Sequence, residues 1–276
     1  MMTDSSSTAV AHGGVRLPPF LVIVAVLALA IGAWIASTYA MVGMSGAPGV
    51  ALGPVGWFVG FWVVMMAAMM LPSAWPMVLA HADMAGAHSA SRRQAALSCL
   101  LFVLGYLVSW AVYGLAAWLL YNTLTKIQPD WLTWEHNGSL AAGLMVAAVG
   151  LYQLTPFKNS CLKRCIRPSS FIIHYWQPGL KGALRMGLVH GFWCMGCCLG
   201  LMLLMFLLGI MSLVWMAVVT ALVFAEKILP YRVVPRLIAV FCIALGLAIA
   251  VAPSHVMELG NNPGPAMEMK MGGGMH

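Results

Sequence analysis

The chain has 276 residues, of which 62% are hydrophobic and only 8% charged, and 14 Lys and Arg against 7 Asp and Glu give a formal net charge of +7. So little charge at this length excludes a soluble enzyme or a nucleic-acid-binding module. It predicts an all-α polytopic transmembrane helical bundle, because a helix of about 20 apolar residues crosses a ~30 Å hydrocarbon core and satisfies its own backbone there.

A tail over residues 1–18 precedes a transmembrane domain over 19–252, with seven predicted spans at 19–44, 57–81, 95–121, 139–155, 182–209, 211–225 and 234–252. The fourth and sixth are short. The first ends near "STYA" and could be a cleaved signal, leaving six spans, although Asp4 and a lone Arg16 make a poor charged n-region. With seven spans alternating, every Lys and Arg except Lys126 and Lys270 falls on one side. Cytoplasmic loops retain such residues, so the N-terminus is expected inside and the C-terminus outside, in a bacterial inner membrane. The positive charge is thus a topology signal, and no nucleic-acid partner is expected. Trp57, Trp118, Tyr121, Trp131, Trp134, Tyr175 and Trp176 fall near span ends and read as interfacial anchors.

The second span carries "MMAAMMLPSAWPM", which sets Met65 above Met69 and Met66 above Met70, one helical turn apart, with Met77 and His81 repeating the spacing. At ~100° per residue these side chains lie within an arc of about 160°, although Pro72 and Pro76 blur the register. Methionine more often fills apolar space than binds anything, so this stripe alone reads as packing or as a site.

The segment 157–181, read as a basic cytoplasmic loop, contains "CLKRC" and His174. Cys161 and Cys165 there form either a pair that handles a soft metal or merely exposed thiols.

The fifth span contains "HGFWCMGCC", so that Met186, His190, Cys194, Cys197, Cys198 and Met205 fall within about 120° of one helical face. Thiolate, thioether and imidazole ligands without a carboxylate suit Cu(I) first, then another soft transition metal. If the second and fifth spans pack antiparallel, the methionine pairs meet the thiols at mid-membrane and His81 comes near Arg185 and His190. Cys99 and Cys242, alone in their spans, read as small buried hydrophobes. Glu226 and Lys227 end the sixth span; Glu226 is either a functional charge within the membrane or an interfacial partner of Arg232 or Arg236.

The tail 253–276 is rich in Gly, Pro and Met, and its His255, Met267, Met269, Met271, Met275 and His276 have no core to fill, which makes them secondary candidate ligands.

"MMAAMMLPSAWPM", "CLKRC", "GFWCMGCCLGLMLL" and "GIMSLVWMAVVTALVFAEKILP" together resemble an uncharacterised bacterial family, a domain of unknown function described as predicted metal-binding integral membrane proteins. The likeness covers roughly residues 56–252. It implies a multi-span helical protein with a metal site at Met69, Met70, His190, Cys194, Cys197 and Cys198, and it implies no established reaction.

The expected function is therefore binding and transfer of Cu(I), or another soft metal, in the bilayer. A metal chaperone or metalloenzyme is the expected partner protein. There is no nucleotide loop, so the reading leans away from an enzyme. Three alternatives stay open: a redox enzyme with His81 and His190 on a haem or metal centre, a thiol-disulfide oxidoreductase using Cys194 and Cys197, and an assembly factor in which these groups are only structural.

Overall fold

The computed structural model describes residues 17–41, 53–127, 139–208, 212–229 and 233–251, and these are almost wholly helical, without a strand among them. The helices are α1 (Pro19–Met41), α2 (Val55–His88), α3 (Arg92–Ile127), α4 (Ser139–Gln153), α5 (Pro156–Ile166), α6 (Pro168–Tyr175), α7 (Gly179–Leu208), α8 (Leu213–Ile228) and α9 (Val234–Val251). Five of them, α1, α2, α3, α7 and α9, are long and apolar enough to cross a membrane. The bent pair α4 and α5 makes a sixth if taken as one broken span. The predicted short spans differ from expectation for a physical reason. Helix α8 has only 16 residues, and α4 has 15 before the chain turns by 61° into α5.

That turn is written locally. Thr155 is the N-cap, its hydroxyl accepting from the backbone N–H of Lys158 at 3.3 Å, and Pro156 occupies the first helical position, where its missing N–H does no harm. The segment 157–181 is consequently not a loop. Most of it forms α5 and α6, and α5 buries Lys158, Cys161, Leu162 and Cys165. A glycine in the left-handed region, Gly179 at φ 83°, then releases the chain into α7.

Helix α7 is the hub. It packs chiefly against α3 and also against α5, α4 and α8, while α2 lies between α1 and α3, and α4 pairs with α9. The α3–α7 contact is a seam of small residues. A Cβ on Gly187 would run into the backbone carbonyl of Phe102, one on Gly105 into that of Leu184, and one on Gly191 would come within 2.6 Å of the Ser109 Cβ. Ser109 then donates its hydroxyl across the seam to the Leu188 carbonyl at 3.0 Å. Apolar surroundings offer little hydrophobic drive between helices, so close backbone approach and cross-helix hydrogen bonds hold such a pair. Gly143 and Gly246 make the same approach between α4 and α9.

Long stretches of the described exterior are apolar: Leu100, Leu104, Val112 and Leu119 of α3 and Leu237, Val240 and Leu247 of α9 point outward. The interior, by contrast, holds His81, His190, Lys158 and Glu226 beside its methionines and cysteines.

Gly187→Ala forces the seam apart and is expected to destabilise the protein by about 1–3 kcal/mol. Gly60→Ala, where nothing lies within 4 Å, should be neutral or stabilising by up to about 1 kcal/mol. Thermal unfolding in detergent, followed by tryptophan fluorescence, compares the two.

Candidate metal centre

Cys194 and Cys197 stand on one face of α7, three residues apart and so nearly one above the other. Helix α5 brings a third thiol to them from outside that helix. The ligand atoms of Cys165, Cys194 and Cys197 all lie within 4.8 Å of one another, and all three residues are buried. Metal–thiolate bonds of ~2.3 Å hold sulfurs at most about 4.6 Å apart, so small rotamer changes close the trio on one ion. Cys198 adjoins it, with its Sγ 3.5 Å from that of Cys197. All seven cysteines are free thiols.

Two ties hold helix α5 to α7 at this level, and a third holds to α7 the end of α4, from which α5 continues. Gly196 leaves the space that the Cys161 sulfur fills, a Cβ there coming within 2.7 Å of Sγ. The Arg164 guanidinium lies over the Trp193 ring at 4.0 Å. Tyr152, at the end of α4, donates its hydroxyl to the Gly196 carbonyl.

Two further groups meet Cys194. The Tyr106 hydroxyl of α3 is 3.2 Å from its sulfur, and the Lys227 ammonium of α8 is 3.3 Å from it. Lys227 also donates to the Ser73 hydroxyl of α2 at 2.7 Å. Its neighbour Glu226 faces another way, forming a buried ion pair with Lys158 of α5, whose ammonium also donates to Gln153. Of the two readings of Glu226, the interfacial pairing is corrected here: the side chain is buried and its partner is Lys158, not Arg236, while Arg232 lies outside the described residues. Consecutive residues of α8 thus place a carboxylate on the helix that carries Cys165 and an ammonium on the helix that carries Cys194.

The methionine pairs Met65, Met69 and Met66, Met70 are all buried in the same core as the thiols. The expected direct packing of their helix on α7 is not what holds them there. Helices α2 and α7 share α3 and α8 as neighbours instead of a broad interface of their own. They reach one another through large side chains, Trp62 against Phe206 with ring centroids 5.3 Å apart, and through the Lys227 bridge from Ser73 to Cys194.

His190 is buried one turn before Cys194 but lies outside the group of three thiols. His81 makes one hydrogen bond, between Nε2 and the Ser98 hydroxyl at 3.1 Å. Phe102 stacks on both imidazoles, 4.8 Å from the ring of His81 and 5.9 Å from that of His190. That phenyl ring fills the space a haem held between the two histidines would need. His255, Met267, Met269, Met271, Met275 and His276 lie outside the described residues.

Sequence reasoning ranked Cys165 second and assigned nothing to Lys227, Tyr106 or Lys158. The available signals were the four-residue spacing in "CLKRC" and the adjacent opposite charges that end α8.

A family model described as PpoB2, copper chaperone, matches residues 59–249, more than half of the chain. The chain belongs to the PpoB2 copper chaperone family. No curated protein and no solved structure matches it. The expected likeness to a metal-related family is thereby shown at that level, and copper is the metal that the family's description names. The matched stretch contains both methionine pairs, all the cysteines and Lys227, and it leaves out α1 and the Met/His tail. Together with the buried thiols it supports a copper-handling role.

Removing one member of the buried ion pair strands the other charge. Glu226→Ala is expected to destabilise by about 3–5 kcal/mol, and the double replacement Lys158→Met with Glu226→Leu should recover most of the loss. Chemical denaturation in detergent measures both.

Proposed function

We propose that this chain is a multi-pass membrane protein that binds Cu(I) at Cys165, Cys194 and Cys197 and passes it to a partner protein. The observation that carries the reading is the convergence of three buried thiols from two helices, in a chain of a copper chaperone family. The bilayer is the natural solvent for its exterior, since the outward side chains of α3 and α9 are apolar while Lys158 and Glu226 are buried as a pair.

The donor chemistry suits a soft monovalent ion. The centre offers sulfur and no free carboxylate, because Glu226 is taken up by Lys158. Thiolates select Cu(I) over hard cations such as Mg or Ca. Charge gives a second argument. With two of its three thiols ionised, the centre holding one Cu(I) carries a net charge of about −1, which is costly to bury alone, and the ammonium of Lys227 beside Cys194 neutralises it.

Exchange of a disulfide with a partner fits less well. A thiol that attacks another protein's disulfide needs access to it, whereas Cys194 and Cys197 are 0% and 1% exposed. An ion, unlike a protein, can reach sulfurs at that depth.

In this reading the Met/His tail 253–276 gathers copper outside, the N-terminus lies in the cytoplasm of a bacterial cell, and a metal chaperone or metalloenzyme exchanges the ion with the chain. The buried methionine pairs supply thioether contacts along the way. No group in the centre is given a catalytic task.

Detergent-purified full-length protein, titrated with Cu(I) against a chelator of known affinity, tests the centre. Replacing Cys165, Cys194 and Cys197 by Ser is expected to weaken the tightest-bound copper at least 100-fold. It should also remove the all-sulfur shell from its X-ray absorption spectrum. Unchanged affinity in that variant, with the sulfur shell intact, refutes the assignment.

A further inference from the structure

A buried imidazole without hydrogen bonds calls for an explanation, since nearly all buried polar groups have partners and an unmade bond carries the full desolvation penalty. His190 is 0% exposed, and neither Nδ1 nor Nε2 has a hydrogen-bond partner within the protein. The ring is boxed by aromatic side chains. Phe102 and Tyr106 of α3 stack on it at centroid distances of 5.9 and 5.6 Å, and Phe171 of α6 meets it at right angles at 5.3 Å. His190 also sits one turn from two sulfur residues on its own helix, Met186 on one side and Cys194 on the other, both buried.

Packing alone does not account for this choice. A phenyl ring would fill the same box without orphaned nitrogens. The histidine is therefore kept for a ligand that a nitrogen lone pair can hold and that aromatic faces tolerate. Aromatic faces attract cations, and imidazole is a ligand for soft and borderline metals. No carboxylate is among the groups that touch the ring, so a strongly hydrated divalent ion would enter at a large desolvation penalty.

We propose that His190 is a second copper station, separate from the thiols, at which Cu(I) is held by the imidazole while it moves to or from Cys194. The inference rests on the copper-handling reading above. Tyr106 joins the two stations physically, stacking on His190 while its hydroxyl touches the Cys194 sulfur. The ion exchanges one ligand for another without a change of oxidation state: the bond to the imidazole nitrogen breaks as a bond to the Cys194 sulfur forms. The balance of charge sets the order of affinity. The thiolates offer negative charge and His190 offers none, so the imidazole is a place of transit and the thiols are the resting place. His81, with its Nδ1 unpartnered and its ring on Phe102, extends the same line toward the far end of α2.

Ag(I), a redox-stable stand-in for Cu(I), is the probe, and the protein is the full chain in detergent. Four forms are compared: wild type, the Cys165/Cys194/Cys197→Ser variant, His190→Phe, and the two combined. The Met/His tail is common to all, so differences between forms isolate the core. The thiol variant should bind one Ag(I) more than the combined variant, at least tenfold more weakly than wild type binds its tightest ion. Labelled with ¹⁵N-histidine, it should show one ring signal shifted by Ag(I) that His190→Phe removes. In stopped-flow mixing, His190→Phe should load the thiols at least tenfold more slowly than wild type. His190→Gln, which retains a polar side chain, serves if the Phe variant does not fold, and should also load slowly.

Equal binding by the thiol and combined variants, with the ring signal unmoved, overturns the second station while leaving the thiol centre intact. An unchanged loading rate in His190→Phe or His190→Gln overturns its role in transit. If wild type binds no more Ag(I) than the combined variant, the copper-handling reading itself falls.

Discussion

The ammonium of Lys227 is the charge around which this interior is organised. Lys227 is half-buried, and an ammonium held among apolar helices needs its charge and its donors met. Lys227 finds the Ser73 hydroxyl at 2.7 Å and the Cys194 sulfur at 3.3 Å. Its neighbour Glu226 is not its partner, because that carboxylate is taken up by Lys158. Two opposite charges adjacent in sequence thus serve two different helices. An exposed pair contributes at most about 1 kcal/mol, but groups at this depth are screened by little and govern which helix faces meet. The last turn of α8 thereby fixes α5, with Cys165, and α7, with Cys194, relative to each other.

Backbone geometry supplies the other half of the arrangement. Gly105, Gly187 and Gly191 let α3 and α7 approach until side chains of one touch the backbone of the other. That closeness lets Tyr106 reach the Cys194 sulfur and lets Phe102 stack on His190. The bend of 61° between α4 and α5 does comparable work where α5 meets α7. Had Thr155 and Pro156 allowed a straight helix, Cys165 would have continued along the axis of α4. Broken helices in apolar surroundings are tolerated where neighbours satisfy the freed groups, and here Thr155 and Lys158 do so in the first turn of α5.

The long apolar runs were legible because their signal is local: α1, α2, α3, α7 and α9 fall where hydropathy places them. The sulfur face of α7 was legible for the same reason, since helical arithmetic needs one helix only. What could not be read was anything that depends on a partner far along the chain. Lys158, Lys163 and Arg164 made residues 157–181 look like a solvated loop, yet Lys158 is 0% exposed because Glu226 waits 68 positions later. Cys165 carried a local hint in "CLKRC", but its place in the trio exists only after α5 has docked. The methionine stripe on α2 correctly marked a buried face. Which helix covers that face is a tertiary fact: α2 packs mainly on α1 and α3 and also meets α8, without a broad interface to α7.

The proposed centre also has to let its cargo in and out, and its three thiols are not equal in this respect. Cys194 and Cys197 are 0% and 1% exposed and belong to the long helix at the centre of the structure, whereas Cys165 is 8% exposed and belongs to the short helix beyond the bend. Copper passes between thiolate sites most readily when an incoming ligand binds before an outgoing one leaves, and a third sulfur at the rim of a two-sulfur site is placed for that exchange. Moving α5 moves Cys165 without disturbing the glycine seam that positions the other two. The same motion strains the Lys158–Glu226 pair, so the charge that aligns the rim thiol also resists its departure. In the proposed reading two of the three thiols are thus set by the glycine seam and the third by the ion pair, so they are not interchangeable ligands.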